Sequence, residues 1–239
     1  MLVHTKAIII RALKYGEADL IVKAYTLSDG LCTYMLKGVL KSKKGKFKAS
    51  MFQSLTLLDI VANHRGTGKM EYLKEAKVTG NYQSLHTHPV KLAMVMFLAE
   101  TLRNAIREEE SNESLFHYLE YSFHVLDTLD KIANFHLLFL LNLTRYLGFQ
   151  PENGMQDLPY FNLLDGVFQE ISTNDYCIEG KNVDLLKSLL GTEFDALKHI
   201  KLNQSSRNDF LNMLLLYYEL HIEGFRKPKS LSVLNEIFG

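Results

Sequence analysis

Six lysines, Lys37, Lys41, Lys43, Lys44, Lys46 and Lys48, crowd the stretch KGVLKSKKGKFKAS with no acidic residue among them, in a chain of 239 residues whose formal net charge is zero. Point charges at this density suit a polyanion, whose phosphates they neutralise while its counterions are released. The glycines in the stretch raise a competing reading, a nucleotide cradle. Such a loop needs two glycines four residues apart, then Lys and Ser or Thr, because backbone amides wrap the phosphates and the hydroxyl binds magnesium. Here six residues separate Gly38 from Gly45, and Lys46 is followed by Phe47. The spacing excludes the cradle. Tyr34, Phe47 and Phe52 interleave with the lysines, a pattern suited to stacking on bases, although Phe52 fits a core position better. Arg11, Lys14 and Arg65 join the six lysines, Tyr34 and Phe47 as candidate nucleic-acid contacts. Phosphate contacts carry no sequence information, so affinity without sequence preference is expected.

Other chemistry finds less support. Among the nine histidines, His86 and His88 precede Pro89, and His117, Glu120 and His124 share a helical spacing. Zinc wants three or four converging ligands, usually with cysteine in a structural site, and neither group supplies them. Cys32 lies within LCTYML as a small apolar residue, no serine occupies a GxSxG elbow, and Glu108, Glu109 and Glu110 read as a solvated run. No metal, no cofactor and no catalytic constellation is expected, and the chain reads as a non-enzyme.

The elements that must carry the lysines have two textures. Residues 1–80 hold 14 basic and 6 acidic residues, a difference of +8, and residues 81–239 hold 13 and 21, a difference of −8. A basic module that meets a polyanion is thus joined to a more acidic one. In the first, Ala7 to Leu13, Leu20 to Leu27, Leu31 to Leu40, Leu55 to Ala62 and Met70 to Val78 read as strands, separated by turn signals such as Ser28-Asp29-Gly30. Five strands without a crossover helix predict a small antiparallel barrel, and an SH3-like barrel is the other candidate that the count allows. After Pro89 the apolar period becomes helical: Leu92 to Ile106, Leu115 to Leu129, and Asn134 to Phe149, the last apolar nearly all round as the central helix of a bundle. Asp184 to Leu190, Glu193 to Ile200 and Asn208 to His221 follow as helices, with Ser206 as the expected N-cap of the last. The expected division is a barrel domain at 1–80 and a helical domain at 81–239 with a loop-rich insertion around 150–181. The longest apolar run, Phe135 to Leu143, is too short for a membrane span, and two cysteines suit a reducing, cytoplasmic setting.

The order of residues adds a resemblance. LKYGEADLIVKAYTLSDGLCTYMLKGVLKSKKGKFKASMFQSLTLLDI resembles the N-terminal domain of the RecO recombination mediator family, through Tyr15-Gly16-Glu17-Ala18-Asp19, Lys37-Gly38, the basic loop, and Gln53 ahead of a strand. Ser54 stands where such families often have proline. FLAETLRNAIREEESNESLFHYL and LLFLLNLTRYLGFQP look like the family's helical domain. The resemblance implies an N-terminal OB-fold followed by an α-helical domain in a bacterial, cytoplasmic, nucleoid-associated protein. It implies binding of single- and double-stranded DNA, annealing of complementary strands, and action with RecR to help RecA displace single-strand-binding protein. It also implies capture of that protein's acidic C-terminal tail, for which Arg103, Arg107 and Arg145 are the candidate residues. Some relatives carry a four-cysteine zinc site after the central helix; here that stretch offers only Cys177, so no zinc site is expected. A protein-interaction adaptor built on an SH3-like barrel and an RNA-binding OB-fold protein are the alternatives.

Overall fold

The computed structural model describes residues 1–41, 45–64, 70–107 and 110–238, so Lys43, Lys44 and Arg65, together with Glu108 and Glu109, lie outside the described residues. Strands β1 (Leu2–Tyr15), β2 (Asp19–Thr26), β3 (Gly30–Leu36), β4 (Leu57–Asn63) and β5 (Met70–Val78) close in the order β1-β2-β3-β5-β4. This is the OB-fold arrangement. Every pairing is antiparallel except β3 with β5. The parallel pair departs from the all-antiparallel barrel expected from the strand count, for a simple reason: directions cannot alternate around a closed ring of five, so one neighbouring pair must run the same way.

Strand pleating sends alternate residues inward. Ala7, Ile9, Val22, Ala24, Tyr34, Leu36, Leu58 and Ile60 form the barrel core, plugged by Phe52 from the 3-10 turn Ala49–Phe52. A register shift between Ile9 and Arg11 kinks the long β1. There Leu55, buried and in the left-handed region at φ 64°, donates its N–H to Ile9 O at 2.6 Å, and Ile9 N–H donates to Thr56 O at 3.0 Å. The bulge thereby stitches the entry of β4 onto β1.

Two helices complete the first compact unit, which runs from Met1 to Thr128. Helix α1 (Pro89–Ala105) starts with proline, which is pre-shaped for a first turn, and α2 (Glu113–Thr128) follows. Phe116 of α2 stacks on Tyr25 of β2 at 6.3 Å, and Glu120 accepts from Lys6 Nζ at 2.7 Å. The end of α2 is clamped to the segment before α1. Asp127 takes the N–H groups of Gln83, Ser84 and Leu85 at 2.7–2.8 Å, while the buried Lys91 ammonium donates to Asp127 O at 2.6 Å.

The second unit, Leu129–Gly239, is built on α3 (Phe135–Tyr146), whose apolar perimeter is buried on nearly every side. The insertion after it is more ordered than its composition predicts. Strands β6 (Tyr160–Asn162), β7 (Val167–Gln169) and β8 (Cys177–Ile178) form a three-stranded sheet, each too short to show a period in the sequence. Helix α4 (Lys181–Leu189), the 3-10 segment Phe194–His199, α5 (Gln204–His221) and α6 (Leu231–Ile237) follow. Helix α5 starts four residues before the expected Asn208. Its cap is Asn203, whose Oδ1 accepts from Ser206 N–H at 2.8 Å, so Ser206 lies inside the first turn.

Burial alone would raise the Asp127 carboxyl, but the amides of Gln83, Ser84 and Leu85 outweigh it and hold it below its ordinary value. A depressed carboxylate stabilises above its ordinary pKa and loses that contribution as pH falls through the folded value. Asp127→Ala is therefore expected to lower unfolding stability at neutral pH by about 2 kcal/mol, with less difference from the parent below pH about 4, measured by urea titration. Full burial, and secondarily the Arg207 guanidinium, push the His136 imidazole down to about 3. Its neutral form belongs to the fold, so stability is intact above pH about 6.5 and falls on the order of 1 kcal/mol per unit below it. His136→Leu should flatten that limb between pH 6 and pH 4.

Candidate nucleic-acid interface

The described parts of the lysine segment are anchored at both ends. At its start Gly38, with φ 73° and open space where a Cβ would stand, turns the chain so that its N–H donates to Asp19 Oδ1 at 2.8 Å. Leu40 N–H donates to Ala18 O at 2.8 Å, and Val39 enters the barrel core. The motif residues of the β1–β2 turn and Lys37-Gly38 thus interlock. At its far end Phe47 meets Phe52 edge-on at 6.0 Å, and the 3-10 turn begins with Met51 N–H donating to Lys48 O at 3.0 Å.

Between these anchors Lys37, Lys41, Lys46 and Lys48 are exposed. Lys41 pairs with Glu17 at 2.8 Å and Lys46 with Glu75 at 3.3 Å. Exposed pairs of this kind contribute at most about 1 kcal/mol each, so phosphate oxygens can replace the carboxylates with little loss. Arg11 and Lys14 of β1 are exposed as well.

The expectation at Tyr34 needs correction. Tyr34 has no exposed surface: it points into the barrel, and its hydroxyl lies 2.9 Å from His64 Nε2. Phe47 is half-buried against the core, edge to Phe52. Inward pleating removes the Tyr34 ring from a base-stacking role, while Phe47 keeps part of its surface exposed. The exposed aromatics of the strands are Tyr15, at 55%, and Tyr72, at 38%, with Lys37 Nζ 5.9 Å from the Tyr72 ring centre. Lys23 adds a further exposed cation to this side of the barrel. It faces Arg11 across the β1–β2 ladder and is exposed, and its polar character between Val22 and Ala24 is the alternation signal that marks an outward position.

Asp29, His64 and Tyr34 form a row, with Asp29 Oδ2 3.0 Å from His64 Nδ1. The row ends in a hydroxyl sealed within the barrel, so its role is to fix the end of β4. Burial pushes the neighbouring Cys32 thiol up, away from thiolate chemistry. The histidines are spent locally: His86 Nε2 lies 2.9 Å from Ser54 O, His124 packs on Tyr82 at 5.3 Å, and His117 contacts Glu113 and Glu120, each at 3.4 Å. Among the described residues no three His, Cys, Asp or Glu side chains are grouped to hold a metal ion. Arg103 pairs with Glu100 at 3.0 Å on α1, and Arg107 is exposed just beyond that helix, both in the first unit; Arg145 is exposed on the last turn of α3 in the second. Among the described residues no helix is long and apolar enough to cross a membrane.

Comparison with known proteins agrees with this architecture. Residues 1–82 match the family model for the recombination protein O N terminal region, and residues 86–231 match that for the recombination protein O C terminal region. Proteins named DNA repair protein RecO are similar along the whole of both chains: 88% identical over 239 residues in Christiangramia forsetii, 43% over 238 in Flavobacterium johnsoniae and 35% over 242 in Bacteroides fragilis. An OB-fold barrel followed in sequence by a helical region, two adjoining family models and full-length relatives all point the same way, and the chain belongs to the RecO family of bacterial DNA repair and recombination proteins.

Proposed function

We propose that this chain binds single- and double-stranded DNA through the phosphate backbone, anneals complementary strands, and acts with RecR to load RecA onto DNA coated with single-strand-binding protein. The observation that carries the reading is the lysine segment fastened at both ends to an OB barrel whose first eighty residues have a net charge of +8 (14 basic less 6 acidic). Annealing requires two polyanions to approach, and a dense cationic surface screens both without holding either in one register. Glu17 and Glu75 keep two of the lysines extended at the surface until phosphate replaces them. The work proposed is binding and positioning, with no bond made or broken by the protein and no cofactor. The acidic tail of single-strand-binding protein is assigned to the helical region, with Arg145 taking a carboxylate.

Labelled oligonucleotides in fluorescence anisotropy test the DNA reading. Affinity should fall with salt by about 0.7 log units per log unit for each phosphate contact on a single strand. Alanine at Lys41, Lys43, Lys44 and Lys46 together should weaken all sequences alike and reduce that slope by up to about 3. Absence of binding at low salt overturns the reading. For the tail, Arg145→Ala should lower affinity for an acidic peptide ending in Phe about tenfold, the equivalent of one charge-assisted hydrogen bond, and unchanged affinity moves the tail elsewhere.

A further inference from the structure

We infer that the tip of the β6–β7 hairpin is a docking surface for the lysine segment of a second copy of this chain, so that copies associate until a polyanion claims their lysines. Residues 150–180 hold six carboxylates and no Lys or Arg, the opposite of the lysine segment with its six cations and no acid. The fold gathers three of the six carboxylates. Glu152 N–H donates to Gly166 O at 2.8 Å and Leu163 N–H to Tyr176 O at 3.1 Å, which brings residues 152, 163–166 and 175–176 to one end of the small sheet. There Glu152, Asp165 and Asp175 are exposed around Leu164, at 42%, and Tyr176, at 39%. The tip is held rigidly: Gly166 turns at φ 70°, and a Cβ in its place would lie 2.6 Å from the Tyr217 hydroxyl, which donates to Phe149 O at 2.9 Å.

Folding leaves this surface unused. Among the described residues none of the three carboxylates pairs with Lys, Arg or His, and the one side-chain hydrogen bond they accept runs from Asn162 Nδ2 to Asp165 Oδ2 at 2.7 Å. Like charge repels a polynucleotide from such a tip, and a cationic protein segment complements it. The lysine segment is the cationic stretch that this chain itself supplies. Its Lys37 and Lys41 are exposed, with Leu40 39% exposed between them. Cations around an apolar side chain thereby meet carboxylates around an apolar pair. Glu17, the present partner of Lys41, is exposed and exchangeable. The tip and a DNA strand compete for the same lysines, so a bound strand releases the second copy. The association does not require the DNA-binding reading above; the release does.

Sedimentation equilibrium of the full-length protein tests both steps. The parent should associate at about 50 mM salt and run as a single chain at about 500 mM. Glu152→Lys with Asp175→Lys, and separately Lys37→Glu with Lys41→Glu, should each lower the association constant about tenfold or more. An equimolar mixture of the two variants should recover it, since the reversed tip of one then meets the reversed segment of the other. A short thymidine strand should return the parent to single chains. A parent that stays a single chain at low salt, variants that associate as the parent does, or a mixture that fails to recover overturns the docking surface. A single-chain parent whose DNA affinity rises on Glu152→Lys with Asp175→Lys also overturns it, because the tip then shields the segment within one chain. A strand that binds without releasing the second copy overturns the assignment of the lysine segment as the docked element. A strand that does not bind at all overturns the DNA-binding reading and leaves the association standing.

Discussion

A sheet of five strands closed on itself has an inside, an outside and no edge, and that constraint decides the fate of each residue in the first eighty. Alternation along every strand then becomes binding: Val22 and Tyr34 turn in, and Lys23 and Tyr72 turn out. The single parallel contact between β3 and β5 closes the ring and brings Tyr72 alongside Met35. Closure also leaves connections as the places where charge can accumulate without disturbing the core. The lysine segment occupies one such connection, and its anchors, Val39 and Phe52, are core residues.

Much of this was legible because it rests on period and composition. The strand runs, the switch to helical spacing after Pro89 and the charge asymmetry are local properties, and they translate directly into a barrel, helices and a basic surface. What was not legible depends on partners distant in sequence. Tyr34 and Tyr72 are both tyrosines in strand-like stretches, and only the ring closure separates an interior ring hydrogen-bonded to His64 from an exterior one beside Lys37. The three short strands of the insertion have too few residues for a period, and their pairing shows itself only once Phe161 meets Phe168 and Ile178. The cap of α5 was misplaced by three residues because Asn203 and Ser206 are both good caps, and the choice falls to the backbone direction at Asn203.

The electrostatics follow a division between pairs that fix structure and pairs that are exchangeable. Asp19 on the Gly38 amide and Asp127 on three amides are short hydrogen bonds from carboxylates to backbone, and they hold turns in place. Glu17 with Lys41 and Glu75 with Lys46 join long, solvated side chains that lose little when separated. A binding surface benefits from this arrangement, since its geometry is set by the first class while its charges remain available through the second.

The Asp127 clamp also bears on where the chain can be divided. The two family matches meet between residues 82 and 86, so their seam falls on the very amides, Gln83 to Leu85, that Asp127 holds from more than forty positions later. The boundary between the two family matches and the boundary between the two compact units are therefore different, with the first two helices belonging structurally with the barrel. A barrel cut after residue 85 would keep the Gln83, Ser84 and Leu85 amides but lose the carboxylate that takes them, whereas one carried through Thr128 would bring its own fastening with it.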